Sequence, residues 1–364
     1  MHTVKTADLK PGMVTAVNVK TKAGQVIVEK NKFLTHQMIA HIEYYNIPSI
    51  KVLDGALPDA TIHAMVNERQ ASESYFQKIR ESHEFHEFKD SYEKKVNFLE
   101  HTLNDAVAKN LPPDEDSLLE QALKLFAKNA TTISMFDMLH NMRSINDSTY
   151  AHSMNVALIG RMMGMWMNFD TKALDILTLG GMFHDIGKSK VPEAILNKPG
   201  RLTPDEFEEI KKHPRYGYEI LRDMPLDPAV KKITLYHHER CDGSGYPIGL
   251  CSDEIDDFSI IIAIADVYDA MTADRIYRSG MCPFEAIAIF EQEGLSKYKP
   301  QYILTFLERI ANTYVGNNVL LSNGVTGKIV LINKQFLTRP VIQISDEEFI
   351  NLEKHPEIYV QAII

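Results

Sequence analysis

Five of the chain's fourteen histidines fall between residues 152 and 238, each in a context suited to ligation. His152 stands at the start of a helix, in Tyr150-Ala151-His152-Ser153-Met154-Asn155. His184 and Asp185 end a helix that begins near Ala173, and His213 ends one begun at Thr203. His237 and His238 end the next helix and run into Glu239-Arg240-Cys241-Asp242-Gly243-Ser244-Gly245-Tyr246-Pro247. Neutral imidazole is the commonest protein metal ligand, and Gly243 and Gly245 permit close backbone approach or positive φ. Asp266 interrupts the apolar run Ile262-Ala263-Ile264-Ala265-Asp266-Val267, where a carboxylate is costly unless paired or coordinated. Adjacent helical residues point about 100° apart. Both His237 and His238 therefore reach one cluster only if the helix stops there. The pattern predicts a metal site closed by a loop shaped for a ligand.

Three stretches carry a family resemblance: His184-Asp185-Ile186-Gly187-Lys188, the His-His to Gly-Tyr-Pro stretch, and Asp266-Val267-Tyr268-Asp269-Ala270. Over roughly residues 145–280 they resemble the HD-GYP phosphodiesterases, a branch of the HD metal-dependent phosphohydrolases. The resemblance implies a mainly α protein built on an HD-type helical bundle. It implies a hydrolase that opens cyclic di-GMP to linear pGpG by attack of a metal-bridging hydroxide, with GMP as a further product left open. Phosphodiester cleavage suits two metals, which neutralise the phosphate and generate a nucleophile. On this reading His152, His184, Asp185 and Asp266 hold one divalent ion, and Asp185, His213 and His237 the other. His238 is either a further ligand, as the resemblance implies, or a support behind the ligands. Nitrogen-rich ligation with a shared carboxylate suits iron or manganese.

Lys188 follows the His-Asp pair by three residues, close enough to touch the scissile phosphate or donate to the leaving oxygen. In the Gly245-Tyr246-Pro247 turn, proline fixes the loop and Tyr246 offers a ring and a hydroxyl to the substrate. Arg275 and Arg278 share a helical face and match family positions that grip the dinucleotide phosphates; otherwise they are surface charges at a helix end. The sequence departs from the family at Ser148, where some members carry a metal-binding Glu, and this favours two metals over three. Cys241 and Ile276 replace a usual aromatic and a usual proline without removing a ligand. Two other functions stay open: a catalytically weak cyclic di-GMP receptor signalling through a protein partner, and a hydrolase of another cyclic dinucleotide such as cyclic GMP-AMP.

The elements that position these residues follow from composition. A chain of 364 residues predicts two or three domains. Residues 1–58 form a small α+β regulatory unit, with a strand over Val14–Val19, a helix after Thr35 and a last strand over Ile47–Leu53. From Ala56 to Ile159 there is no glycine, so 59–116 reads as a helical connector. Within it Phe85, Phe88, Tyr92, Val96, Leu99 and Leu103 form one apolar stripe. That stripe either packs on its own domain or makes the 64–108 helix a homodimer or signal-transmission element. Residues 117–312 are the catalytic domain, with helices near 117–143, 150–167, 171–186, 203–222, 227–239 and 257–274. Residues 313–364 form a small β appendage.

Charge and cysteine usage bound the partners. A net charge of −10 opposes nucleic-acid binding. No run of 18 apolar residues predicts a membrane span, and no apolar signal core follows Met1-His2-Thr3-Val4-Lys5. Three cysteines make no disulfide framework, which fits the cytoplasm.

Overall fold

The structure is a computed structural model that describes residues 1–10, 13–20, 26–28, 30, 34, 39, 42, 47–53, 79–128, 132–142, 148–198, 200–273 and 281–364. The chain divides into two compact units, Met1–Gln70 and Ala71–Ile364.

In the first unit, His2–Lys5 (β1) pairs antiparallel with Ser49–Val52 (β4), and Val19–Lys20 (β2) with Val26–Val28 (β3). Leu9, Val19, Val28, Leu34, Ile42, Ile50 and Val52 form its core. The strand expected over 14–19 shrinks to bridge residues at Val14 and Thr15, the latter paired with Val52, and the two residues of β2. Leu53 lends its N–H to Val14 across this edge, so pairing is local rather than a continuous ladder. Of the helix expected after Thr35, the described residues are Ile39 and Ile42, and both are helical.

The second unit is a helical bundle. It opens with His83–Lys109 (α1), capped by Ser82, whose hydroxyl accepts the Phe85 N–H. Asn110 ends it in the left-handed conformation, with φ of 52°. All six stripe residues of α1 are buried within the chain itself. Tyr92 donates to the carbonyl of Ala151 and to Asn155 Oδ1. The stripe is thus occupied internally, and a contact with a second copy would have to use another face of the helix. Glu115–Lys128 (α2) and Thr132–Met142 (α3) follow.

Thr149–Trp166 (α4) and Thr171–Phe183 (α5) cross closely. A Cβ on Gly181 would stand 2.4 Å from Ala157 Cα, so the contact requires glycine. After α5 the chain tightens into a 3₁₀ turn over Ile186–Lys190, then Glu193–Leu196 (α6). The helix expected over 203–222 is two: Pro204–Ile210 (α7) and His213–Leu221 (α8). A capping box of Thr203 and Glu206 starts α7, as the sequence predicts. The break at Lys211–Lys212 lets His213 open α8 rather than end α7. Pro214 suits that start, because proline is tolerated in the first helical turn.

Pro228–Tyr236 (α9), Asp257–Thr272 (α10), Pro283–Ile289 (α11) and Pro300–Thr313 (α12) complete the bundle. Between α11 and α12, Phe290–Gly294 forms a π turn. The C-terminal segment folds as Asn318–Leu321 (β5), Thr326–Asn333 (β6), Phe336–Gln343 (β7), Phe349–Asn351 (β8) and Val360–Ile363 (β9). These make an antiparallel sheet in the order β8-β7-β6-β5-β9. Val319, Leu321, Ile329 and Ile342 join the same core as Phe85, Leu177, Ile262 and Phe306. Glu291 of the π turn accepts the Leu337 N–H and the Thr338 hydroxyl, tying β7 to the bundle.

Candidate metal centre

Five separate segments bring the predicted ligands together. Ser148 caps α4 by accepting the Ala151 N–H at 3.1 Å, and this sets His152 in the first turn. Ser148 therefore serves as a helix cap. α5 ends at Phe183, and the turn into the 3₁₀ segment carries His184 and Asp185. α8 contributes His213. α9 stops at Tyr236, and the Glu239 N–H bonds back to the Tyr236 carbonyl as the chain leaves the helix. That early stop is what allows both His237 and His238 to face the cluster. α10 supplies Asp266 from its middle.

Asp185 lies between two sets of imidazoles. Its Oδ2 is 3.3 Å from His184 Nε2 and 3.8 Å from His152 Nε2. Its Oδ1 is 3.3 Å from His213 Nε2 and 3.9 Å from His237 Nε2. Three groups have ligand atoms within 4.8 Å of one another: His152, His184 and Asp266; His213, His237 and His238; and His184, Asp185 and His237. His238 therefore stands with His213 and His237, while its Nδ1 is also 3.7 Å from Asp266 Oδ2.

The donor chemistry fits cations. His184, His213 and His237 each donate Nδ1–H to a backbone carbonyl, of Gly181, Ile210 and Thr234, at 2.7, 2.8 and 2.9 Å. With Nδ1 committed, each neutral ring presents an Nε2 lone pair inward. His213 Nε2 and His237 Nε2 then face each other at 3.1 Å, a repulsive contact unless a cation or proton lies between them. Burial pushes His213 down to about 4 and His238 to about 3, and holds His237 well below the usual range. Near neutral pH these three rings carry no proton to spare. His184 Nε2 and Asp185 Oδ1 are buried with no hydrogen-bond partner. Burial opposes charge on Asp185, yet His184 and Lys188 outweigh it and hold its carboxyl well below the ordinary range. These His and Asp clusters suit a dinuclear metal site.

His152 behaves differently. Burial works to lower its pKa, but hydrogen bonds to Asp266 and Asp269 win and raise it to about 9. Its Nδ1 meets Asp269 Oδ2 at 2.8 Å and its Nε2 meets Asp266 Oδ1 at 2.9 Å. Asp269 is the residue that sequence reasoning missed. Its signal was present, since it lies three residues after Asp266 on the same helical face. A carboxylate behind a ligating histidine fixes the ring and raises its basicity, and loss of such a partner typically costs 10- to 100-fold in metal affinity. Asp269→Asn is expected to weaken binding by about that factor, read by competition against a chromogenic chelator; unchanged affinity would remove Asp269 from the site.

On the substrate side, Lys188 Nζ pairs with Asp185 Oδ2 at the edge of the cluster. The Tyr246 ring stacks on His238 with centroids 4.6 Å apart at 30°, so one of its faces is already taken. Gly245 has a packing reason: a Cβ there would lie 2.5 Å from Arg240 N and 2.5 Å from Glu239 Cα. Arg215, which carried no sequence signal, donates to the Pro247 carbonyl at 3.0 Å. Arg275 and Arg278 lie outside the described residues.

The loop beyond Pro247 hangs on Glu239. This carboxylate is 2% exposed and accepts the N–H groups of Ile248, Gly249 and Leu250 at 2.7, 3.0 and 2.9 Å. Glu239→Gln turns one acceptor toward these donors into a competing donor, and should cost about 1–3 kcal/mol. A urea titration would detect it; an unshifted midpoint would mean that the loop carries no stability.

A helical bundle that gathers a histidine, a His-Asp pair and a later aspartate around one cluster has the architecture of an HD domain. The family model for the HD domain matches residues 115–302, and the chain belongs to that family. The chain is 34% identical over 207 residues to cyclic di-GMP phosphodiesterase PA4108 of Pseudomonas aeruginosa, covering 57% of this chain and 50% of that one. It is 35% identical over 234 residues to a cyclic di-GMP phosphodiesterase of Thermotoga maritima, covering 62% and 58%. It is also 36% identical over 195 residues to 3'3'-cGAMP-specific phosphodiesterase 1 of Vibrio cholerae, covering 54% and 44%. The chain thus spans about half the length of the curated relatives it matches. Among solved structures, Bd1817, an HDG"Y"P protein from Bdellovibrio bacteriovorus, aligns with TM-score 0.50 at 17% identity. That alignment covers 85% of this chain and 99% of Bd1817 and shows likeness of fold. Among the described residues, no helix is long and apolar enough to cross a membrane.

Proposed function

We propose that the chain is a metal-dependent phosphodiesterase that opens cyclic di-GMP to linear pGpG. The observation that carries this reading is Asp185, whose two carboxylate oxygens face separate imidazole groups. His152, His184, Asp185 and Asp266 would hold one divalent ion; Asp185, His213 and His237 would hold the other, with His238 beside them. Iron and manganese suit such a nitrogen-rich set with a shared carboxylate. Bound there, the ions would neutralise the phosphodiester and acidify a water molecule.

The protein's own groups do the positioning. Asp269 holds the His152 ring, and three backbone carbonyls hold the Nδ1 atoms of His184, His213 and His237. Lys188 is partly exposed beside Asp185, placed to bind a phosphoryl oxygen or give a proton to the leaving oxygen. Glu239 and Arg215 shape the loop that presents Tyr246. The free state of Cys241, Cys251 and Cys282 fits a reducing cytoplasm.

The test is product analysis of the purified protein incubated anaerobically with cyclic di-GMP and iron or manganese, beside cyclic GMP-AMP. Linear pGpG with about two metals per chain supports the reading. Tight binding of intact cyclic di-GMP without turnover in any metal state would overturn it, and a signalling receptor would take its place. Preferential opening of cyclic GMP-AMP would reassign the substrate.

A further inference from the structure

The predicted ligands are not all held in the same way. His184, His213 and His237 each commit Nδ1 to a carbonyl three residues earlier in their own segment. Those rings are oriented locally, wherever the segment sits. His152 instead has its Nδ1 on Asp269 of α10, 117 residues away, and its Nε2 on Asp266. Its aim depends on the first turn of α4 keeping its place against α10. A first helical turn has no turn before it to bond to, so α4 gains from outside support at this point.

That support comes from α1. Tyr92 is buried, and its hydroxyl shares its proton between the Ala151 carbonyl oxygen at 2.9 Å and Asn155 Oδ1 at 2.6 Å. Ala151 and Asn155 are four residues apart, so they share one face of α4 beside His152. A second tyrosine reaches the other way: Tyr150 donates to Asn104 Oδ1 at 2.8 Å, where Asn104 is exposed. The Tyr92 bonds are the stronger hold, because a hydrogen bond inside the protein is electrostatically stronger than one in water. The two tyrosines thus tie to α1 the two residues immediately before His152.

We propose that Tyr92 is a positioning residue for His152, so that the seating of α1 sets how tightly the His152–His184–Asp266 group holds its ion. The inference rests on the two-metal reading of the cluster and is independent of the substrate. The connector helix then acts on metal retention through the α4 turn, without touching the ion.

The experiment titrates manganese into the full chain in competition with a chromogenic chelator and records the electron paramagnetic resonance spectrum. Wild type should take up two ions and show the spin-coupled spectrum of a manganese pair. Tyr92→Phe removes one oxygen and keeps the ring. It should weaken one ion by about 10-fold, the lower end of what losing an outer support costs, and leave the other unchanged. At manganese concentrations between the two constants its spectrum should be that of a single ion. Val96→Ala is the control for packing: it thins the same buried stripe and removes no side-chain hydrogen bond, so melting should fall while both affinities hold. Tyr150→Phe should show the same selective loss at smaller size, and it keeps the test valid if Tyr92→Phe does not fold. Unchanged affinities in Tyr92→Phe, or an equal loss in Val96→Ala, overturn the role of Tyr92 and leave the two-metal reading standing. Wild type that never takes up two ions overturns the two-metal reading and the inference with it.

Discussion

Asp185→Ala is expected to lose both metals' shared ligand at once, so metal content should fall from about two per chain to below one. Hydrolysis should drop by more than the roughly 10²- to 10³-fold typical of removing a single transition-state donor. The reason is geometric. Asp185 Oδ1 and Oδ2 each approach two imidazoles, and Lys188 Nζ rests on Oδ2. Truncation leaves four imidazole nitrogens crowded around a void, with an ammonium that has lost its carboxylate. Asp185→Asn, nearly isosteric, separates packing from charge: it should fold like wild type and still fail to load. Elemental analysis beside a product assay reads both. Full two-metal loading of the alanine variant would show that the two groups bind independently of this carboxylate.

Gly187→Ala should be nearly as damaging without touching a ligand. A Cβ at Gly187 would lie 2.0 Å from the His213 carbonyl oxygen and 2.4 Å from Gly217 N. Both obstacles are backbone, so α8 as a whole must retreat, and forced overpacking of this kind costs about 1–3 kcal/mol. His213 opens α8, so its Nε2 would leave the 3.3 Å approach to Asp185. Misplacement of about 1 Å can cost on the order of 10²-fold in rate. The expected signature is selective: loading falls toward one metal per chain while the His152–His184–Asp266 group persists. A variant that keeps two metals and full rate would show that α8 does not bear on Gly187 as described.

The gathering of these histidines and aspartates was legible in the sequence because coordination chemistry restricts residue types. Histidines that end or open helices, and an aspartate buried in an isoleucine-alanine run, have few other uses. The helical bundle was legible from glycine-free stretches and from the Phe85–Leu103 stripe. What the sequence withheld concerns direction. His213 reads as the end of one helix, although Pro214 in the first turn of α8 is the local signal of a new start after Lys211–Lys212. Asp269 looks like an ordinary acidic residue until the His152 ring is placed 2.8 Å away. Arg215 and the Asn104–Tyr150 pair meet partners 32 and 46 residues distant, and no spacing rule reports such contacts.

The sheet that shares the helical core bears on where the molecule can be cut. The HD match stops at residue 302, in the first turn of α12, whereas burial continues through Phe306, Leu307, Ile310, Val319, Leu321 and Ile342. Each such side chain contributes about 1.5–3 kcal/mol when fully buried, against a total of about 5–15 kcal/mol for a whole domain. The segment that inheritance marks out is therefore shorter than the hydrophobic core it belongs to. Excising residues 115–302 would strip that core of side chains packed from α12 and the C-terminal strands, so the excised piece is expected to be less stable than the whole second unit.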